Sequence, residues 1–138
     1  MKKLNFADLE KKYSEYSVRS KIFNDPVQFV YKYKTHKDKE LIAFIVSRIA
    51  YGRVEQIIKS GKIICDILGN NPVNFIISDK KNYYELFSNF KHRFNTGADI
   101  AGLLYGLKKV INEYNTPESL FDFLLKKNRP SGFPKNAG

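Results

Sequence analysis

Leu41-Ile42-Ala43-Phe44-Ile45-Val46-Ser47-Arg48-Ile49-Ala50 is apolar at every position except Ser47 and Arg48, and whether it is helix or strand decides the fold. A run of this length rich in Ile and Val is compatible with a buried strand. The residues before it favour a helix: Thr35-His36-Lys37-Asp38 offers a threonine cap with an acidic side chain three positions on, the start signal of a capped helix. A helix apolar nearly all round belongs at the centre of a bundle. Arg48 must then find a counter-charge or reach the surface, since a buried, unpaired guanidinium costs several kcal/mol.

Working outward, Tyr51-Gly52-Arg53 interrupts the pattern. Val54, Ile57, Ile58, Gly61, Ile64, Cys65 and Leu68 then recur at the spacing of one helical face, and Gly69-Asn70-Asn71-Pro72 supplies the Gly-then-Pro order of a helix end. Upstream, Leu9, Tyr13 and Tyr16 fall on one face of an amphipathic helix over Leu4 to Tyr16. Asn24-Asp25-Pro26-Val27-Gln28 predicts a short helix from Pro26 to about Tyr33, with Asp25 as cap, Pro26 at the first position and Gln28 closing a capping box.

Downstream, Ser78-Asp79 predicts a helix to about Phe90 carrying Tyr83, Leu86, Phe87 and Phe90 on its apolar side. Asn95-Thr96-Gly97-Ala98-Asp99 opens another, with Ile100, Leu103, Leu104, Leu107, Val110 and Ile111 as its stripe. Thr116-Pro117-Glu118 starts the last, predicted to bury Leu120, Phe121, Leu124 and Leu125. Elsewhere no strand pattern competes. The expected architecture is all-α: a bundle of about six to seven helices around one central buried helix, as one domain over residues 1–127 with a flexible polar tail over residues 128–138.

The chain's 138 residues can bury one substantial core without a disulfide or metal. A hydrophobic fraction of 43% is that of a folding protein rather than a disordered one. Cys65 is the lone cysteine and His36 and His92 are the two histidines, so the sequence offers no zinc-type spacing, and neither metal nor cofactor is expected. The N-terminus turns polar again by Asp8 and Glu10, unlike a signal peptide. The longest apolar run is too short to span a bilayer, so no membrane association and a cytoplasmic location are expected.

Lys and Arg number 24 against 14 Asp and Glu, a net charge of +10, which makes nucleic acid the first partner to consider. AT-rich coding accounts for lysine over arginine, but less well for the excess of bases over acids. Local spacing assembles no nucleophile–base pair and no phosphate-binding glycine loop. Cys65, within an apolar stripe, reads as a packed thiol. Gly102 and Gly106 form a small-residue pair that would let a neighbouring helix approach. Basic and aromatic residues interleave in Tyr31-Lys32-Tyr33-Lys34 and Phe90-Lys91-His92-Arg93-Phe94; both segments read either as stacking-plus-phosphate surfaces or as helix ends with core aromatics and solvated lysines. Arg53 at a helix start opposes the helix dipole. A bound anion there would explain both Gly52 and Arg53, and a structural salt bridge would explain Arg53 equally.

Asn24-Asp25-Pro26-Val27-Gln28-Phe29, Glu40-Leu41-Ile42-Ala43-Phe44-Ile45, Ala50-Tyr51-Gly52-Arg53-Val54 and His92-Arg93-Phe94-Asn95-Thr96-Gly97-Ala98-Asp99-Ile100 together resemble a bacterial family known as domain of unknown function family 2400, over most of the chain to about Leu125. That family looks distantly like the helix-hairpin-helix DNA glycosylases of the endonuclease-three type, chiefly through a Pro-Leu-Asp-Thr-His segment in its second half. This chain lacks that segment, and its last residues depart where an arginine-rich, tryptophan-containing block is expected, so the resemblance implies the first half only, a truncated form. It also implies that Glu40 to Val54 corresponds to the helix and turn by which glycosylases approach the minor groove. The hairpin of the Leu-Pro-Gly-Val-Gly kind and the catalytic Lys and Asp after it are missing, which implies no glycosylase chemistry from this chain alone.

The expectation is therefore a non-catalytic helical domain that contacts DNA phosphates through Arg48, Tyr51, Gly52, Arg53 and Arg93. The alternative is an interaction or structural domain whose exposed apolar surface docks onto a partner, a second copy or a missing C-terminal half.

Overall fold

A computed structural model describes residues 5–16, 19–78 and 81–128. Seven α-helices form among them: α1 (Phe6–Tyr16), α2 (His36–Ile49), α3 (Val54–Leu68), α4 (Pro72–Ile77), α5 (Tyr83–Leu86), α6 (Gly97–Tyr114) and α7 (Pro117–Lys127). The fold is an all-α bundle, as the sequence predicts. Two 3-10 segments, Arg19–Asn24 and Pro26–Lys32, precede α2, and a two-stranded antiparallel hairpin, β1 (Lys91–His92) and β2 (Asn95–Thr96), precedes α6.

The helix starts follow local capping chemistry. Thr35 Oγ1 accepts from the Asp38 N–H at 3.1 Å, and the buried Asp38 carboxylate also accepts the Val73 N–H at 3.0 Å. The Thr35 hydroxyl donates to Asp38 Oδ2 at 2.5 Å, so one carboxylate holds the first turns of both α2 and α4. Thr96 and Asp99 close a full capping box on α6, and Thr116 caps α7 with Pro117 in the first turn.

Leu41, Ile42, Ile45, Val46 and Ile49 of α2 are buried among the Pro26–Lys32 segment, α3, α4 and α7. Ile57, Ile64, Cys65 and Leu68 of α3, and Ile100, Leu104 and Leu107 of α6, complete the core with Phe29, Ile76, Tyr83, Phe87 and Phe90. Gly61 is close-packed: a Cβ there would stand 2.4 Å from the Phe29 ring.

Several expectations are corrected. The central helix is not enclosed all round, because Ala43, Ser47 and Arg48 face outward; Arg48 reaches the surface rather than a counter-charge. The Pro26 segment is 3-10 rather than α, and Gln28 donates from Nε2 to the Phe23 carbonyl instead of closing a capping box, although Asp25 does accept from the Val27 N–H. Pro72 begins a helix rather than merely following one.

Of the helix expected from Ser78-Asp79 to about Phe90, the described residues form only the four-residue α5; Asp79 lies outside the described residues, and Asn82 caps α5. Tyr83, Phe87 and Phe90 are buried as predicted, but Leu86 is exposed. On α7 only Pro117 is buried: Leu120 is half-buried, and Phe121, Leu124 and Leu125 are exposed. Likewise α1 buries nothing among the described residues, and Leu9, Tyr13 and Tyr16 are exposed. A Cβ at Gly102 or Gly106 would meet nothing within 4 Å, so among the described residues no neighbouring helix packs on that pair. The tail beyond Asn128 lies outside the described residues.

Candidate nucleic-acid interface

The turn between α2 and α3 is built around Gly52, whose φ of +98° lies in the region side chains disfavour. A Cβ there would stand 2.9 Å from Arg93 Cδ and 3.0 Å from Nη1. The Arg93 side chain is thus laid directly over the glycine. A bound anion is one reason the sequence offers for Gly52; the positive φ and the approach of Arg93 account for it without one.

Arg93 itself has φ of +53°, in the left-handed region, because it forms with Phe94 the tight turn joining β1 to β2. Its guanidinium carbon lies 5.9 Å from the centroid of the Tyr51 ring and 5.7 Å from that of Phe94, within the range of cation–π attraction.

His92 anchors this turn from below. It is buried, its Nδ1 is 2.8 Å from Ser60 Oγ on α3, and its Nε2 is 3.3 Å from the Tyr51 carbonyl. A carbonyl only accepts, so Nε2 carries a proton, and in the neutral ring Nδ1 then accepts from the Ser60 hydroxyl. The Tyr51 hydroxyl donates in return to the His92 carbonyl at 3.4 Å, and the two rings meet edge to face at 5.1 Å. Hairpin, turn and α3 are one connected unit.

Tyr51, Gly52 and Arg93 thus come into direct contact, although Arg93 is remote from the other two in sequence. Arg53 is exposed at the N-cap of α3, where no side chain caps the helix. Arg48 is exposed in the last turn of α2, three residues before Tyr51, where a cation suits the negative helix end. Among the described residues none of Arg48, Arg53 and Arg93 has a carboxylate within ion-pairing distance, so the salt bridge considered for Arg53 is not formed there. Phe94 and His92 are members of this unit that the sequence marks only as part of longer segments, without a role of their own. The interleaving of Phe90 to Phe94 was the available signal, but it does not tell which aromatic is buried.

A second constellation is invisible in the sequence. His36 and Glu40, one helical turn apart on α2, and Glu118 on α7 place potential ligand atoms within 4.8 Å of one another. Glu40 Oε1 accepts the Glu118 N–H at 2.6 Å, while Oε2 is buried with no hydrogen-bond partner among the described residues. The sequence shows no zinc-type spacing, and it is the fold that brings these three side chains close enough to share a divalent cation. The hydrogen bond to Glu118 gives Glu40 a structural role in any case, at the start of α7.

A family model described as "Protein of unknown function (DUF2400)" matches residues 25–133. The chain belongs to that family. No curated protein and no solved structure matches it. The match spans both halves of the interface, the Gly52 turn and the hairpin. No described helix is long and apolar enough to cross a membrane.

Proposed function

We propose that this DUF2400 domain binds nucleic acid through backbone phosphates at the Gly52 turn and carries out no reaction there itself. The observation that supports this best is the Arg93 guanidinium, laid over Gly52 without a carboxylate partner among the described residues, with exposed Arg53 following Gly52 in the chain at the start of α3, where no side chain caps the helix. Phosphates are the anions a chain of net charge +10 attracts at long range. The distant resemblance to helix-hairpin-helix glycosylases, whose corresponding helix and turn approach the minor groove, adds to the same reading.

The test is binding of labelled duplex DNA by fluorescence anisotropy across a salt series. Affinity falls steeply with salt, and Arg93→Gln and Arg53→Gln each flatten the log–log slope by about one unit, as expected when one phosphate is no longer neutralised. No binding at low salt, or binding indifferent to salt, overturns the proposal.

A second reading, a docking domain, has its own support. Phe6, Tyr13 and Tyr16 of α1 and Phe121, Phe123 and Leu125 of α7 are exposed, apolar side chains that a docking partner would cover. Sedimentation at rising concentration tests it: a monodisperse monomer throughout counts against self-association.

A further inference from the structure

We infer that Phe94 is a stacking platform for an unpaired base, so that the Gly52–Arg93 interface prefers single-stranded nucleic acid to closed duplex. This rests on the phosphate-binding reading and adds to it the form of nucleic acid bound. Phe94 is 84% exposed, the most exposed of the large hydrophobic side chains described. A lone exposed phenylalanine is unremarkable in a floppy loop, but this one sits at the tip of a two-residue turn whose flanks are fixed. On one side His92 is buried and hydrogen-bonded to Ser60 and Tyr51; on the other Thr96 is locked to Asp99 in the capping box of α6.

The backbone that carries the ring is therefore fixed on both sides, so little backbone entropy is left to lose when a ligand covers the ring. Its companion is a cation, since the Arg93 guanidinium lies 5.7 Å from the ring centroid, and exposed Lys91 precedes the buried histidine. An aromatic face beside unpaired positive charge complements a nucleotide, whose base offers a π-face and whose phosphate offers the anion. In a closed duplex the base faces are already stacked on one another, so phosphates and groove edges remain but no free π-face. An unpaired stretch presents both groups.

The chain contains no tryptophan, so Phe94→Trp places a single indole at the tip. The probes are a 15-residue thymidine oligomer, a uridine oligomer of the same length, and a 15-base-pair duplex. The expected results are tighter binding of a single strand than of duplex, about tenfold weaker single-strand binding for Phe94→Ala, and a clearly smaller loss of that variant's duplex affinity, with its salt slope kept because no cation is removed. Phe94→Trp retains the preference, and its emission is quenched by a single strand but not by duplex. Quenching by the thymidine or the uridine oligomer supports the proposal and tells whether DNA or RNA supplies the base. Equal affinities for single strand and duplex in the parent protein, no loss of affinity in Phe94→Ala, or indole emission of Phe94→Trp unmoved at saturating single strand overturns it. If instead nothing binds, or salt has no effect, the phosphate-binding reading fails first.

Discussion

Ser60 and His92, far apart in the chain, meet in the core with Oγ and Nδ1 2.8 Å apart, and this contact fastens the β1–β2 hairpin to α3. Ser60→Ala leaves the buried Nδ1 without a donor, a loss of about 1–3 kcal/mol. Urea unfolding should show that destabilisation. Loosening the hairpin should also weaken nucleic-acid binding without changing its salt slope, because no cation is removed. An unchanged unfolding midpoint would mean the contact contributes nothing.

Three glycines of α6 should respond in opposite directions. A Cβ at Gly97 would stand 1.7 Å from the Phe87 carbonyl oxygen, a backbone atom that cannot move aside, so Gly97→Ala should displace the start of α6 and cost at least about 2 kcal/mol. Gly102 and Gly106 are exposed in mid-helix with open space around them. Alanine at either should stabilise by about 0.5–1 kcal/mol through helix propensity alone. Thermal unfolding of the three variants checks the contrast, and a destabilising Gly102→Ala would reveal a neighbour at that face.

Gly52→Ala should cost about 1–3 kcal/mol, since a φ of +98° strains any side-chain-bearing residue. Part of the effect is contact with Arg93 Cδ, and that part can relax because the arginine is flexible. Adding Arg93→Ala should recover only the steric part of the lost stability. Full recovery in the double variant would show that backbone strain at the turn is negligible.

Much of the fold is legible because helix starts are local chemistry. Thr35, Thr96 with Asp99, and Thr116 with Pro117 each bond to backbone within their own first turn, so a few adjacent residues carry the signal. The hairpin is not legible that way. With two residues per strand it has no alternation to read, and it is held by His92 reaching Ser60 and Tyr51. The exposure of α1 and α7 escapes sequence reading for another reason: helical spacing shows that Leu9 and Tyr13, or Phe121 and Leu125, share a face, but not whether anything packs against it. At the interface, Tyr51, Gly52 and Arg53 announce themselves as a break between two apolar helices. That Arg93 covers Gly52 depends on the hairpin, and so does Phe94 being the aromatic left outside. The grouping of His36 and Glu40 with Glu118 needs α7 folded back beside α2.

Cys65 should be slow to react in the native state. Burial pushes its thiol above the ordinary cysteine range, and the hydrogen bond with Tyr33 offsets this only in part; Tyr33 is itself raised, by burial first and by Cys65 second. Little thiolate forms at neutral pH, and access is closed. Modification by an aromatic disulfide reagent should run at least tenfold slower than in denaturant, an expectation scaled to a core that opens rarely. Equal rates in the two states would show that the α3 face carrying Cys65 is open.

Asp99 links the capping box to acid stability. Its carboxylate accepts from the Thr96 backbone N–H at 2.7 Å and from the Thr96 hydroxyl at 2.8 Å, and these bonds, the backbone one first, hold its pKa below the ordinary aspartate value. A group whose pKa is lower folded than unfolded adds stability above the unfolded value, about 4, and loses it as pH falls through the folded value. Asp99→Asn should therefore be less stable than the parent at neutral pH, and the gap should close as pH falls below about 4. Since Asp99 is fully exposed, added salt should narrow the gap as well. Chemical unfolding of both proteins across a pH series measures it. A gap that stays constant down to the acid limit would assign the box's contribution to hydrogen-bond geometry rather than to the carboxylate's charge.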